Sequence, residues 1–298
     1  MRHSPQVKKT LSRFVAWGNP RDSVRAMVLT SSLAADTAPI DALTDYDLIL
    51  VVTDIHPYVN DTGWLGDFGP VLVLYHDPIQ NTDGLEQSAF VVQYEDGLKI
   101  DFSLWPVEML QRVVAAPQLT EEFDAGYRVL LDKDHLIDGL KPPTYRGYIP
   151  EPPTETEYLT RIELLFQNAT YVAKFLWRDD LVAARHVMET GMLQADLLPI
   201  LVWHVEIDHD WSVKPGPYGR RLKRWLRPDL WAELEKTYTG PDLDANWDAM
   251  FRMIDLGRKA AIEVGEKLGF AYPHDMHQRA LAYLQRVRDL DRDAETFA

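Results

Sequence analysis

Hydrophobic positions follow two rhythms along the chain, and the change from one to the other falls near its middle. In the first half, short apolar runs of strand length recur at residues 24–30, 48–53, 71–75, 90–94 and 98–104. Runs of this length, rich in Val, Ile and Leu, predict buried strands. The last two flank Glu95-Asp96-Gly97, and an Asp-Gly between strand-like runs predicts a hairpin because glycine accepts positive φ. Residues 5–18 and 106–114 predict helices. From residue 157 onward the period becomes 3.6, and residues 157–177, 181–204, 218–225, 245–268 and 274–289 predict amphipathic helices. Between the two rhythms, residues 141–156 hold five prolines, a composition for an extended linker. The pattern predicts an α+β protein: a mixed sheet with helices at 1–140, a proline-rich linker at 141–156 and a helical-bundle domain at 157–298.

Composition narrows the chemistry. A hydrophobic content of 46% with 11% aromatics supports packed cores, and zero cysteines exclude disulfides, a thiolate nucleophile and any Cys-built zinc site. No apolar run approaches the roughly 18 residues that cross a bilayer, and the N-terminal Met1–Lys9 lacks the apolar stretch of a secretion signal. The expectation is a cytoplasmic protein with no membrane partner. The formal net charge is −15, and both halves are acidic. Such a field disfavours a nucleic-acid backbone and attracts cations, whether metal ions or a polycationic small molecule.

The candidate chemistry begins at Asp45-Tyr46-Asp47, entering the second apolar run. Residues two apart on a strand share a face, so the two carboxylates point together, and they repel unless a cation sits between them. Mg²⁺ suits such hard oxygen ligands and leaves positions for water and phosphate. Asp101 lies on the polar face of a later strand with Lys99 and Ser103, opposite Ile100, Phe102 and Leu104, and could complete a three-carboxylate metal site. Thr30-Ser31-Ser32 follows the first apolar run, and hydroxyls and backbone N–H groups in such a turn suit phosphate oxygens. No Gly-x-Gly-x-x-Gly, P-loop or Gly-x-Ser-x-Gly pattern occurs, and His274 and His277 lack the glutamate of a zincin helix.

These residues resemble the nucleotidyltransferase superfamily, and specifically the aminoglycoside 6-adenylyltransferase (streptomycin adenylyltransferase) family. The likeness runs through Thr44–Leu48 with Val51–Asp54, Trp64–Gly69 and Tyr94–Asp101, and continues in Tyr171–Arg178 and Trp211–Gly216. It implies a nucleotidyltransferase domain followed by a helical substrate-binding domain, and transfer of AMP from ATP to a hydroxyl of a cationic aminoglycoside. By the family pattern Asp45 and Asp47 hold Mg²⁺ on the triphosphate, and Asp101 either ligates a second metal or takes the acceptor proton. Ser32 matches the serine of a Gly-Ser-Arg turn that holds phosphate. Here that turn reads Ser31-Ser32-Leu33, which adds a Cβ and removes a cation. The Val202-Trp203-His204 stretch also lacks an acid beside its tryptophan. These departures leave open nucleotidyl transfer to another small molecule or to a protein, and nucleotide binding without catalysis.

One basic strip stands out in the acidic chain. From Trp211 to Pro228 there is no acid, while Lys214, Arg220, Arg221, Lys223, Arg224 and Arg227 occur. On a helix Arg220, Lys223, Arg224 and Arg227 would share a face. Lys214 first, with Arg220 and Lys223, and secondarily Lys174 and Arg178, are candidates to bind the outer phosphates and replace the charge absent at Leu33. Asp179, Asp180, Glu206, Asp208 and Asp210 are candidate acids for a cationic acceptor.

Overall fold

The computed structural model describes residues 4–35 and 40–297, so part of the N-terminal stretch read for a leader lies outside the described residues. The chain divides into two compact units between Tyr148 and Ile149, within the proline-rich segment.

In the first unit, α1 (Pro5–Gly18) starts on the Ser4 cap with proline at its first turn, and buries Val7, Leu11, Phe14 and Trp17. Next come β1 (Val24–Leu29), the single turn α2 (Ser31–Ala34), β2 (Tyr46–Val52), α3 (His56–Asn60) and a 3₁₀ segment (Thr62–Phe68). The unit continues with β3 (Val71–Thr82), β4 (Leu85–Tyr94), β5 (Lys99–Pro106), α4 (Val107–Ala115), the single turn α5 (Glu121–Asp124) and β6 (Arg128–Asp132). The six strands form one mixed sheet in the order β3-β4-β5-β2-β1-β6. Among the described residues only β2 and β5 pair in parallel; the other neighbours are antiparallel. Phe14, Leu48, Leu50, Phe68, Phe90 and Phe102 pack one face, while Val28, Ile49, Val51, Leu110 and Phe123 pack the other. Covering both faces explains why β1 and β2 read as continuous apolar runs rather than alternating ones.

Two features of this unit escape the hydrophobic pattern. The β3–β4 hairpin is longer than its apolar centre, because Asp83 and Gly84 both take positive φ and close a tight turn between polar arms. The edge strand β6 has only Val129, Leu130 and Leu131 as its apolar run, too short to announce itself.

Residues 141–154, which span the boundary, contribute neither helix nor strand. A capping box of Thr154 and Glu157 then starts α6 (Glu155–Trp177). α7 (Leu181–His186) passes through an eleven-residue π-type segment (Val187–Leu197) into α8 (Leu198–Asp208). After a short 3₁₀ turn (Pro217–Gly219) come α9 (Leu222–Trp225), α10 (Pro228–Glu235), α11 (Leu243–Leu268) and α12 (His274–Asp289). One core, including Ile162, Leu165, Met192, Leu201, Met250 and Ile254, joins these helices. Among the described residues no helix is long and apolar enough to cross a membrane.

The helix expected at 218–225 does not form as one element. Tyr218, Gly219 and Arg221 all take positive φ, which leaves a single helical turn at Leu222–Trp225. Prolines at 215 and 217, with like charges at adjacent positions, work against a continuous helix. Arg220, Lys223, Arg224 and Arg227 therefore share no helix face, and Arg227 instead caps α10.

The segment after α5 is fastened by one side chain. Asp124 accepts hydrogen bonds from the Thr144 N–H at 2.7 Å, the Thr144 hydroxyl at 2.6 Å and the Gly147 N–H at 3.0 Å. A Cβ at Gly147 would stand 2.1 Å from the Glu121 carbonyl oxygen and 2.7 Å from the Ala125 nitrogen. Gly147→Ala is expected to cost about 2 kcal/mol in urea denaturation and to speed proteolysis between residues 141 and 154. An unchanged midpoint would show that this approach is not tight.

Candidate active site

Parallel pairing of β2 with β5 places Asp47 opposite Asp101 in register. In-register residues on neighbouring strands project to one face, so the two carboxylates are held side by side by backbone geometry alone. Asp45 lies just before β2. Lys99 is two residues before Asp101 and shares its face; its Nζ is 2.7 Å from Asp45 Oδ2 and 3.2 Å from Asp101 Oδ2. Three acids and one ammonium thus meet where β2 and β5 begin.

The electrostatics record an uncompensated negative centre. Burial, followed by repulsion from Asp101, pushes the Asp47 carboxyl up to about 6, although a hydrogen bond from the Ser31 hydroxyl opposes the shift. Burial also raises Asp101, against the attraction of Lys99. Burial acts to lower the Lys99 ammonium, but Asp45 and Asp101 outweigh it and the net shift is upward. Asp101 Oδ1 is buried with no hydrogen-bond partner among the described residues, an arrangement that is costly unless something fills the position.

The hydroxyl turn lies beside these acids. The Thr30 N–H donates to the Asp47 carbonyl at 3.0 Å, and the Thr30 hydroxyl donates to Glu122 Oε1 at 2.9 Å. Ser31 follows with φ of +56°, the left-handed region that glycine enters freely and serine does not. Leu33, 1% exposed, packs into the core with Leu29 and Leu48. Tyr148 borders the same region: burial raises its phenol, and the charges of Glu122, Glu121 and Asp47 add to the shift.

A hard divalent cation fits the chemistry of this donor set. It would satisfy the orphaned Asp101 oxygen and relieve the repulsion that raises Asp47. Among the described residues, however, no three His, Asp or Glu side chains converge on a common ion position, and Asp45 turns to Lys99 instead. The site therefore brings together Asp45, Asp47, Asp101 and Ser31, with Ser32 in the same turn, but it joins the acids through an ammonium.

The remaining candidates belong to the helical unit. Lys174 lies 4.8 Å over the Tyr171 ring. Lys223 pairs with Glu235 at 3.2 Å, and Arg227 grips both oxygens of Glu263 at 2.8 and 2.9 Å. Arg220 is exposed, and Lys214 is partly buried in the loop after α8. The buried His204 meets Glu263 of α11 at 2.9 Å. Glu206 is fully buried, burial raises its carboxyl, and its Oε1 has no hydrogen-bond partner among the described residues.

Sequence reasoning placed Lys99 on a polar strand face and gave it no role; its spacing from Asp101 was the available signal. Glu122, Tyr148 and Glu263 carried no local signal, because only the fold brings them to their partners.

Fold and site together define an α+β protein with an acidic centre on its central parallel strands, beside a hydroxyl-bearing turn. The chain belongs to the streptomycin adenylyltransferase family, whose model matches residues 2–287, and it is an adenylyltransferase enzyme. It is 28% identical over 256 residues to an aminoglycoside 6-adenylyltransferase of Bacillus subtilis (strain 168), spanning 85% of this chain and 87% of the relative. It is 25% identical over 252 residues to one of Campylobacter jejuni, spanning 84% and 85%. A solved aminoglycoside 6-adenyltransferase structure from Bacillus subtilis is similar at 23% identity and a TM-score of 0.47, covering 97% of this chain and 99% of that one.

The Asp47 shift carries a sign that can be measured. Burial and the neighbouring Asp101 push its carboxyl up to about 6 in the folded state from an ordinary 3.8, so between those pH values the folded state holds the extra proton. Stability from this group falls as pH rises from about 4 to about 6, and its cost is complete above that. Without divalent cations, Asp47→Asn is expected to gain about 2 kcal/mol at pH 8, after discounting residual exposure, and little at pH 4. Urea denaturation at the two pH values checks this, and equal effects at both would contradict it.

Proposed function

We propose that this enzyme moves AMP from ATP to a hydroxyl of a streptomycin-type aminoglycoside and so confers resistance to the drug. The observation that carries the reading is the register pairing of Asp47 with Asp101, with an unsatisfied Asp101 oxygen beside a hydroxyl-bearing turn. Family membership and the printed names of the relatives supply the donor and acceptor classes.

Transfer requires an acceptor hydroxyl in line with the bond from the α-phosphorus to its bridging oxygen. The new O–P bond forms as that bond breaks, pyrophosphate leaves, and the hydroxyl proton passes to a base. Asp45 and Asp47 would hold Mg²⁺, which when bound neutralises phosphate charge and stabilises the leaving group. Asp101 either completes that ligand set or takes the acceptor proton, its unpartnered oxygen serving one of the two roles. Ser32 presents its hydroxyl to phosphate oxygens, while the Ser31 hydroxyl is donated to Asp47. Among the basic candidates, Lys223 already pairs with Glu235 at 3.2 Å. The cationic acceptor matches an acidic chain with a net charge of −15.

A pyrophosphate-release assay with ATP, Mg²⁺ and an aminoglycoside panel tests the assignment. Release with streptomycin is expected, and Asp47→Asn and Asp101→Asn should each lower it at least about a hundredfold while the protein stays folded. Turnover only with other acceptors would redirect the substrate class, and normal turnover in either variant would remove that residue from the site.

The Ser31 backbone favours a second reading, nucleotide binding without transfer, because the left-handed φ and the added Cβ stand where phosphate must approach. Ser31→Gly is expected to raise turnover several-fold if this strain limits the reaction. An unchanged or lower rate would show that the turn works as built.

A further inference from the structure

The acidic centre contains a cation of its own. Lys99 Nζ lies between Asp45 Oδ2 and Asp101 Oδ2 at 2.7 and 3.2 Å, and those are two of the oxygens a divalent ion would need. Lys99 thus takes one oxygen from each of two carboxylates and leaves the second Asp101 oxygen unpartnered, and among the described residues no three acids converge on a common ion position. An ion entering while Lys99 stays in place also meets a positive charge across shared ligands. The ammonium is not sealed in: the Lys99 side chain is 30% exposed, and Asp45 and Asp101 are 39% and 32% exposed. A four-carbon stem of this exposure can leave for another anion without opening the core.

We propose that Lys99 is a resident counter-cation that holds the site against free divalent ions and yields only when a nucleotide brings phosphate oxygens for the ammonium to move to. The inference rests on the metal-assisted reading above and deepens it. Cation and triphosphate then enter as a coupled pair rather than independently, because the anion that relocates Lys99 also exposes Asp45 and Asp101 to the metal. By linkage, nucleotide must tighten cation binding by the same factor that cation tightens nucleotide binding. The arrangement makes Lys99 a positioning residue: it acts through the carboxylates it holds.

The test is Mn²⁺ binding to the full chain, followed by electron paramagnetic resonance, with and without a non-hydrolysable ATP analogue. Wild type should bind free Mn²⁺ weakly and gain tenfold or more in affinity with the analogue. Lys99→Met should bind free Mn²⁺ about tenfold more tightly than wild type and lose most of the coupling, while Lys99→Arg keeps wild-type behaviour. Lys99→Gln serves in place of the Met variant if that one fails to fold, with the same expectation. Equal free-Mn²⁺ affinity in wild type and the uncharged variants overturns the role of Lys99 and leaves the metal reading standing. Saturating Mn²⁺ that binds none of these proteins, with or without the analogue, overturns both.

Discussion

Two like charges held in register across a parallel strand pair are the constraint on which this molecule turns. Backbone pairing of β2 with β5 sets Asp47 against Asp101, and neither can turn away without leaving its strand face. The topology serves that pairing. Parallel neighbours cannot be joined by a tight turn, and here the β3–β4 hairpin occupies the connection, so β5 returns beside β2 from the far side of the sheet. The surrounding side chains then moderate the repulsion: Ser31 donates to Asp47, and Lys99 bridges Asp45 and Asp101. The raised Asp47 carboxyl, set first by burial and then by repulsion from Asp101, marks stability that the folded protein gives up.

Much of this was legible in the sequence, for reasons that differ from residue to residue. α1 and α12 were readable to the residue, because Ser4-Pro5 marks the start of one and a sustained 3.6 period defines the other. The β4–β5 hairpin followed from Asp96-Gly97, whereas the two-residue spacing pointed to Asp45 with Asp47, and Asp45 stands just before β2 and turns to Lys99. What stayed hidden was non-local. No pattern around Glu122 predicts that it accepts from Thr30, 92 residues away. The Lys99 bridge needed the parallel register, which a sequence does not display. The strip near residue 220 misled because its charges have helical spacing, while positive φ at Tyr218, Gly219 and Arg221 interrupts the backbone.

The helical unit shows how charge can be neutralised from within. Glu263 on α11 meets His204 and is clasped by Arg227. Two bases of the strip are neutralised within their own unit, Arg227 by Glu263 and Lys223 by Glu235. The anomaly of a basic run in an acidic chain is thus partly a matter of internal pairing. Glu206 is different, since it is buried and keeps an oxygen unmatched among the described residues, which is an expensive condition for a carboxylate in a helical core.

The inward packing of Leu33 has a consequence for redesign. A positively charged loop cannot be built here by exchanging that leucine alone, since the guanidinium would be driven among Leu29 and Leu48 at a cost of several kcal/mol. The backbone at Ser31 would have to move with it, so positions 31 and 33 must be altered as one unit.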